Sequence, residues 1–239
     1  MELTVLGSGS SVPHAKRCSS AYWLGIGGAA VLLDCSAAAV SRMPAEGLDW
    51  SSLDAIWISH FHLDHCAGLA PLLFGTKHAP DTRRRKKPLM IFGPVGLRDL
   101  ILRFSDANTY GLLEQPFPIE VVEVEPLEKF EILPGVEATT LKTPHTPESL
   151  AIHIRGGGRT LVYTSDTGYA EAMSAFARRV DLLLMECSFY QNKPTAKHLV
   201  LAEAIMLVRK TQPKRTLLTH FYPEWDAIDL NAEVRRLSP

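Results

Sequence analysis

Three histidines and an aspartate fall within six residues, His60, His62, Asp64 and His65, in the stretch Ile58-Ser59-His60-Phe61-His62-Leu63-Asp64-His65. Imidazole nitrogen and carboxylate oxygen are the donors that hold zinc and similar borderline cations, so donors this close together point to a metal site. A lone loop histidine is usually just solvated; three beside a carboxylate are not. The preceding run, Ala55-Ile56-Trp57-Ile58, is rich in strand formers, and Ala67 to Phe74 reads as a helix start, so the cluster lies where a strand ends. In extended geometry His60, His62 and Asp64 share one parity and lean to one side, while His65, heading the next helix, turns toward them.

The rest of the chain must hold that cluster in place. Its 239 residues suffice for one large core, and 46% hydrophobic with 21% charged residues is ordinary for a globular enzyme. With 25 Lys and Arg against 26 Asp and Glu the formal charge is −1, so no global field attracts nucleic acid or an anionic membrane. No apolar run reaches membrane-spanning length, and the opening residues read as a first strand and not as a signal peptide. Cys18, Cys35, Cys66 and Cys187 are far apart, which argues against a disulfide framework or zinc knuckle and makes the cytoplasm the expected compartment.

Strands are expected near 2–6, 19–24, 29–34, 55–58, 88–92, 119–124, 129–133, 136–142, 149–154, 159–164, 181–187 and 215–219. The Gly- and Ser-rich loop Gly7 to His14 lacks the Lys-Ser/Thr ending of a phosphate loop and reads as a tight connection. Helices are expected at 37–42, from Leu97, at 170–179, from His198 and at about 228–237. His145, Asp166 and His220 follow strands, and Glu186 ends one. Asp166 could instead cap the helix after it, and His153, inside a strand, reads as packing or surface. The basic run Arg83-Arg84-Arg85-Lys86-Lys87 is either a solvated loop or a substrate-binding patch for phosphate, with Arg83, Arg84 and Arg85 as candidates.

The pattern His60-x-His62-x-Asp64-His65 resembles the signature of the metallo-β-lactamase superfamily of binuclear metal hydrolases, and the resemblance covers essentially the whole chain. It implies a single α/β domain over 1–239, a four-layer αββα sandwich with mixed sheets and the site along one edge. It also implies that His60, His62 and His145 hold one divalent ion and Asp64, His65 and His220 the other, with Asp166 bridging. Zinc is the expected ion, although the same donors accept manganese or iron. Asp34, at a strand end, would support the site from behind its ligands; the family's D-x-G pattern lacks its glycine here, since Cys35 and Ser36 follow. Such a site lowers the pKa of a shared water toward roughly 7. With neutral histidines it carries about +1 charge, which matches a singly charged phosphodiester.

Glu186 in Met185-Glu186-Cys187-Ser188-Phe189 and His198 in Lys197-His198-Leu199-Val200 resemble the acid and histidine motifs of the ribonuclease Z branch. A histidine held by a carboxylate stays protonated longer and suits the general acid that an alkoxide leaving group needs. Asp64, Glu186 and His198 are therefore the catalytic candidates. The chain departs from that branch in one respect: only residues 146–165 separate His145 from Asp166, which leaves no room for the long arm that grips tRNA. The expected substrate is then a small or cyclic phosphodiester, with an RNA 3′ end the other option, and a homodimer fits the family habit. Rival readings are a cyclic-phosphoribose phosphodiesterase, whose extra N-terminal cysteines are missing, a thioester or lactam hydrolase, and a non-catalytic metal-binding module.

Overall fold

The computed structural model describes residues 1–237. Its first sheet has the order β1-β2-β3-β4-β5-β6, from Glu2–Gly7, Ala21–Ile26, Ala29–Leu33, Ala55–Trp57, Leu89–Pro94 and Ile119–Val124. The second has the order β12-β11-β10-β9-β8-β7, from Arg215–Thr219, Leu182–Glu186, Arg159–Tyr163, Leu150–Gly156, Val136–Lys142 and Lys129–Leu133. Both sheets are mixed. β1 to β3 form an antiparallel meander and β3 to β6 run parallel; β7 to β10 form a meander and β10 to β12 run parallel.

Parallel neighbours need crossovers, and helices supply most of them. In the first half these are α1 (Ala39–Ala45), the one-turn α2 (Leu63–Cys66), α3 (Leu69–His78) and α4 (Leu97–Asp106). In the second half they are α5 (Ala172–Phe176) and α6 (Leu201–Thr211), and α7 (Leu230–Leu237) closes the described chain.

The inner parallel strands, β3, β4, β5 and β11, are apolar on both faces because both faces are covered. Along β3 and β4, Val31, Leu33, Ala55 and Trp57 point between the sheets, where they meet Tyr22, Ile152, Tyr163 and Leu184. Leu32, Ile56 and Ile58 point the other way, onto Met43, Leu69, Leu73 and Ile101 under the first helix layer. Val162, Leu183 and Met185 likewise pack outward against Met173, Leu201, Ala204 and Leu207. Period-two alternation thus builds three apolar layers and the expected αββα sandwich. β3, β4, β8, β10, β11 and β12 all end at the same edge, the side of a strand-based sheet where ligands are usually bound.

Candidate metal centre

Three residues at that edge have left-handed backbone: Asp34 (φ 55°), Ser165 (φ 54°) and His220 (φ 61°). Non-glycine residues pay about 1–3 kcal/mol for such conformations, which persist where the surroundings impose them. Here each follows a strand end, and the reversal turns its side chain, or its neighbour's, into the groove between the sheets.

The groove gathers the sequence candidates into two overlapping groups, His60, His62, His145 and Asp166, and Asp64, His65, Asp166 and His220; within each, one donor atom per residue lies within 4.8 Å of the others. The rings of His60, His62 and His145 stand 4.7 to 4.8 Å apart by centroid. Asp166 belongs to both groups, with Oδ1 3.3 Å from His65 Nε2 and Oδ2 3.2 Å from His220 Nε2 and 3.6 Å from His145 Nε2. His60 Nε2, His65 Nε2 and Asp166 Oδ1 are buried and make no hydrogen bond. An orphaned buried polar atom costs about 1–3 kcal/mol, and three aimed at one another is the pattern of donors that serve a cation.

The far sides of the rings support the same reading. His145 Nδ1 donates to the carbonyl of Lys197 at 3.0 Å, so Nε2 carries the lone pair. His65 Nδ1 donates to Asp34 Oδ2 at 2.7 Å. Ser59 Oγ, which gives its own proton to Asp34, accepts from His60 Nδ1 at 3.1 Å. Ser188 Oγ, which donates to Glu186, accepts from His220 Nδ1 at 2.9 Å. Locking the outer nitrogen fixes the tautomer that leaves the inner one free for a metal. Asp34 is the hub of this frame: buried completely, it accepts from Ser59 N, Ser59 Oγ, His65 Nδ1 and, across the two sheets, the Tyr163 hydroxyl at 2.6 Å.

Burial, then the adjacent His65, holds the His60 imidazole well below its ordinary pKa and therefore neutral. Burial alone would keep Asp166 protonated, but His220 and His65 outweigh it and hold the carboxyl well below the usual range. Burial opposes charge on His65, but Asp166 and Asp34 outweigh it and hold that ring well above its ordinary pKa, so a divalent cation entering beside Asp166 would displace the ring's proton.

Beside the double cluster, Glu186 Oε1 accepts from His198 Nδ1 at 2.9 Å and from Thr167 N at 2.7 Å, and Oε2 accepts from Ser188 Oγ and Leu199 N. Burial opposes charge on His198, but the Glu186 carboxylate more than offsets this and the ring's pKa is raised. Its loop packs against Gly168, where a Cβ would overlap the carbonyl oxygen of Ala196. The groove opens into a cleft of about 830 Å³ that Asp64, Asp166, His198, His220 and Tyr222 help to line.

Some expectations need correction. The strand stops at Trp57, and Asp64 and His65 both ride on α2, so a helical turn, not strand parity, brings Asp64 round. His198 lies three residues ahead of α6, in a loop bridged to Phe189, and opens no helix. Arg83, Arg84 and Arg85 lie before β5, at the sheet edge opposite the cluster. Arg85 is spent on structure: it donates to the carbonyls of Ser51, Leu53, Lys87 and Pro88 and stacks 4.7 Å over Phe117. Sequence reasoning missed Ser59, Tyr163, Ser165, Ser188 and the Lys197 carbonyl, because hydroxyls and carbonyls carry no spacing signature.

Known proteins share this architecture. A family model described as "Anti-Pycsar protein Apyc1" matches residues 1–237. The probable metallo-hydrolase YhfI of Bacillus subtilis is 30% identical over 226 residues, spanning 92% of this chain and 86% of that protein. A ribonuclease Z of Bradyrhizobium sp. is 27% identical over 292 residues, spanning 100% and 95%. Among solved structures, the metallo-β-lactamase fold protein YhfI superposes with a TM-score of 0.81 at 25% identity, over 98% of this chain and 90% of that one. The short form of human tRNase Z, 24% identical, shares the fold with a TM-score of 0.81 over 94% of each chain. With the family model matched over residues 1–237 and the sandwich shared over 98% of the chain, the chain belongs to the Anti-Pycsar protein Apyc1 family of metallo-β-lactamase fold hydrolases.

Proposed function

We propose that the protein is a metal-dependent phosphodiesterase acting on small or cyclic phosphodiesters. In this reading His60, His62 and His145 would hold one divalent cation and Asp64, His65 and His220 a second, with Asp166 common to both donor groups. Bound there, the cations would supply Lewis acidity, drawing charge from the phosphoryl oxygens and making a water nucleophilic at neutral pH.

The chain's own groups do the rest. Asp34, Ser59, Ser188 and the Lys197 carbonyl hold the outer ring nitrogens, so the donor set is preorganised. Glu186 orients His198, whose Nδ1 proton is engaged and whose Nε2 is left to give a proton to the departing oxygen. The observation that carries the reading is this Glu186–His198 pair beside the double cluster, because hydrolysis of a phosphodiester expels an alkoxide and needs an acid, which a thioester with its thiolate leaving group does not. Between His145 and Asp166 the chain forms only the β9–β10 hairpin, so no arm extends to grip a long RNA.

Metal-loaded protein should be assayed on bis(p-nitrophenyl) phosphate, a 3′,5′-cyclic nucleotide and a pre-tRNA with a 3′ extension. Turnover of the first two above the third supports the proposal, and no turnover of any phosphodiester removes it.

A further inference from the structure

The loop from Gly7 to His14, expected from sequence only as a connection, forms a wall of the catalytic cleft: Val12, His14 and Arg17 face the same space as Asp64, Asp166 and His198. The wall is rigid. Gly9 N donates to the Cys18 carbonyl at 2.7 Å, Ser19 Oγ donates to the Ser10 carbonyl at 2.9 Å, and a Cβ on Gly7 would overlap the Ser19 carbonyl oxygen.

Three groups are locked together on it. His14 Nδ1 accepts the backbone N–H groups of Lys16 and Arg17, both at 3.1 Å, so the ring is neutral and its one proton sits on Nε2. That proton goes to Asp226 Oδ2 at 2.7 Å, and Arg17 Nη2 donates to the other carboxylate oxygen. Asp226 therefore cancels the Arg17 charge and fixes the guanidinium plane. A phosphate site needs uncompensated charge; a rigid donor with its charge cancelled suits a neutral acceptor such as a carbonyl oxygen.

Resting on the phosphodiesterase reading, we propose that Arg17 is a specificity residue that donates to a neutral acceptor oxygen on the organic group esterified to the phosphate. His14 and Asp226 are the residues that position it.

The test compares two esters with the same leaving group: thymidine 5′-(p-nitrophenyl phosphate), whose base carries carbonyl oxygens, and methyl p-nitrophenyl phosphate, which has none. The readout is the ratio of their kcat/KM values, which is insensitive to the fraction of folded enzyme. Arg17→Met should lower the ratio by about three- to tenfold, chiefly through KM of the thymidine ester, as expected for one hydrogen bond whose donor's charge is already neutralised. Arg17→Lys should recover part of it. Asp226→Asn, at a carboxylate whose side chain is 51% exposed, should shift it the same way by a smaller factor and carries the test should Arg17→Met not fold. An unchanged ratio, whether both activities fall together or neither does, overturns the proposal, as does wild-type protein that cleaves only the methyl ester. Wild-type protein that cleaves neither ester instead overturns the phosphodiesterase reading beneath it.

Discussion

Replacing Asp34 with asparagine keeps the shape of the side chain and removes the charge on which the metal frame depends. In the native protein Oδ1 accepts from Ser59 N, and Oδ2 accepts from Ser59 Oγ, His65 Nδ1 and Tyr163 OH. An amide cannot satisfy all four donors. With its oxygen toward Ser59 N, its NH2 group meets the other three; the two hydroxyls can rotate, but His65 must move its proton from Nδ1 to Nε2. That proton then occupies the lone pair aimed at Asp166 and His220. With the amide flipped, the buried Ser59 N–H loses its acceptor, at about 1–3 kcal/mol. In either orientation the carboxylate charge behind His65 is gone and the ring is a poorer donor, so the affinity of the second cation site should fall by roughly 10–100-fold, or about 1.4–2.8 kcal/mol. Chelator competition on Asp34→Asn, run beside the wild type, measures it. Tyr163→Phe removes one donor and leaves His65 tethered, so its affinity should change less than about threefold. Unchanged affinity in Asp34→Asn, or an equal loss in Tyr163→Phe, would refute the reasoning.

Three further outcomes are expected. His198→Ala should slow cleavage of alkyl-leaving phosphodiesters by about 10²–10⁴, and p-nitrophenolate release far less, with metal content retained; equal effects on both leaving groups would rule out proton donation. Arg85→Met, which strips donors from four carbonyls, should cost on the order of 2–3 kcal/mol in urea unfolding while KM stays within about twofold; a large rise in KM would restore a substrate role for the basic run. The Asp181 carboxyl accepts from Lys214 and Thr160 and is held below the ordinary carboxylate range, Lys214 being the main cause. A depressed pKa contributes stability above the unfolded value of about 3.9 and loses it as pH falls. Wild-type and Asp181→Asn urea midpoints should therefore differ at pH 7 and converge below pH 4, and a constant gap would contradict the linkage.

Much of the fold was legible because parallel strands covered on both faces must be apolar, and runs such as Ala29 to Leu33 and Leu182 to Met185 show it. The strands at 119–124, 129–133, 136–142 and 215–219 match their expected bounds. Helix starts were harder to place. α2 lies within the metal motif, where Leu63, exposed at 66%, breaks any apolar periodicity, and the His198 loop is held by Glu186 at the end of β11 and by Phe189 just after it. The metal-type donors stood out as histidines and aspartates at strand ends. The groups that orient them did not, since Ser59, Ser188 and a backbone carbonyl matter only through contacts made across the fold. The role of the first loop was hidden for the same reason: nothing near His14 in sequence points to Asp226.

The most direct test of the two-cation reading is anomalous X-ray diffraction at the metal edge from crystals of protein purified without chelator. Two peaks per chain are expected, one among His60, His62 and His145 and one among Asp64, His65 and His220, both within bonding distance of Asp166. A groove without anomalous signal in protein saturated with zinc, manganese or iron, or ions bound at some other place on the chain, would contradict it.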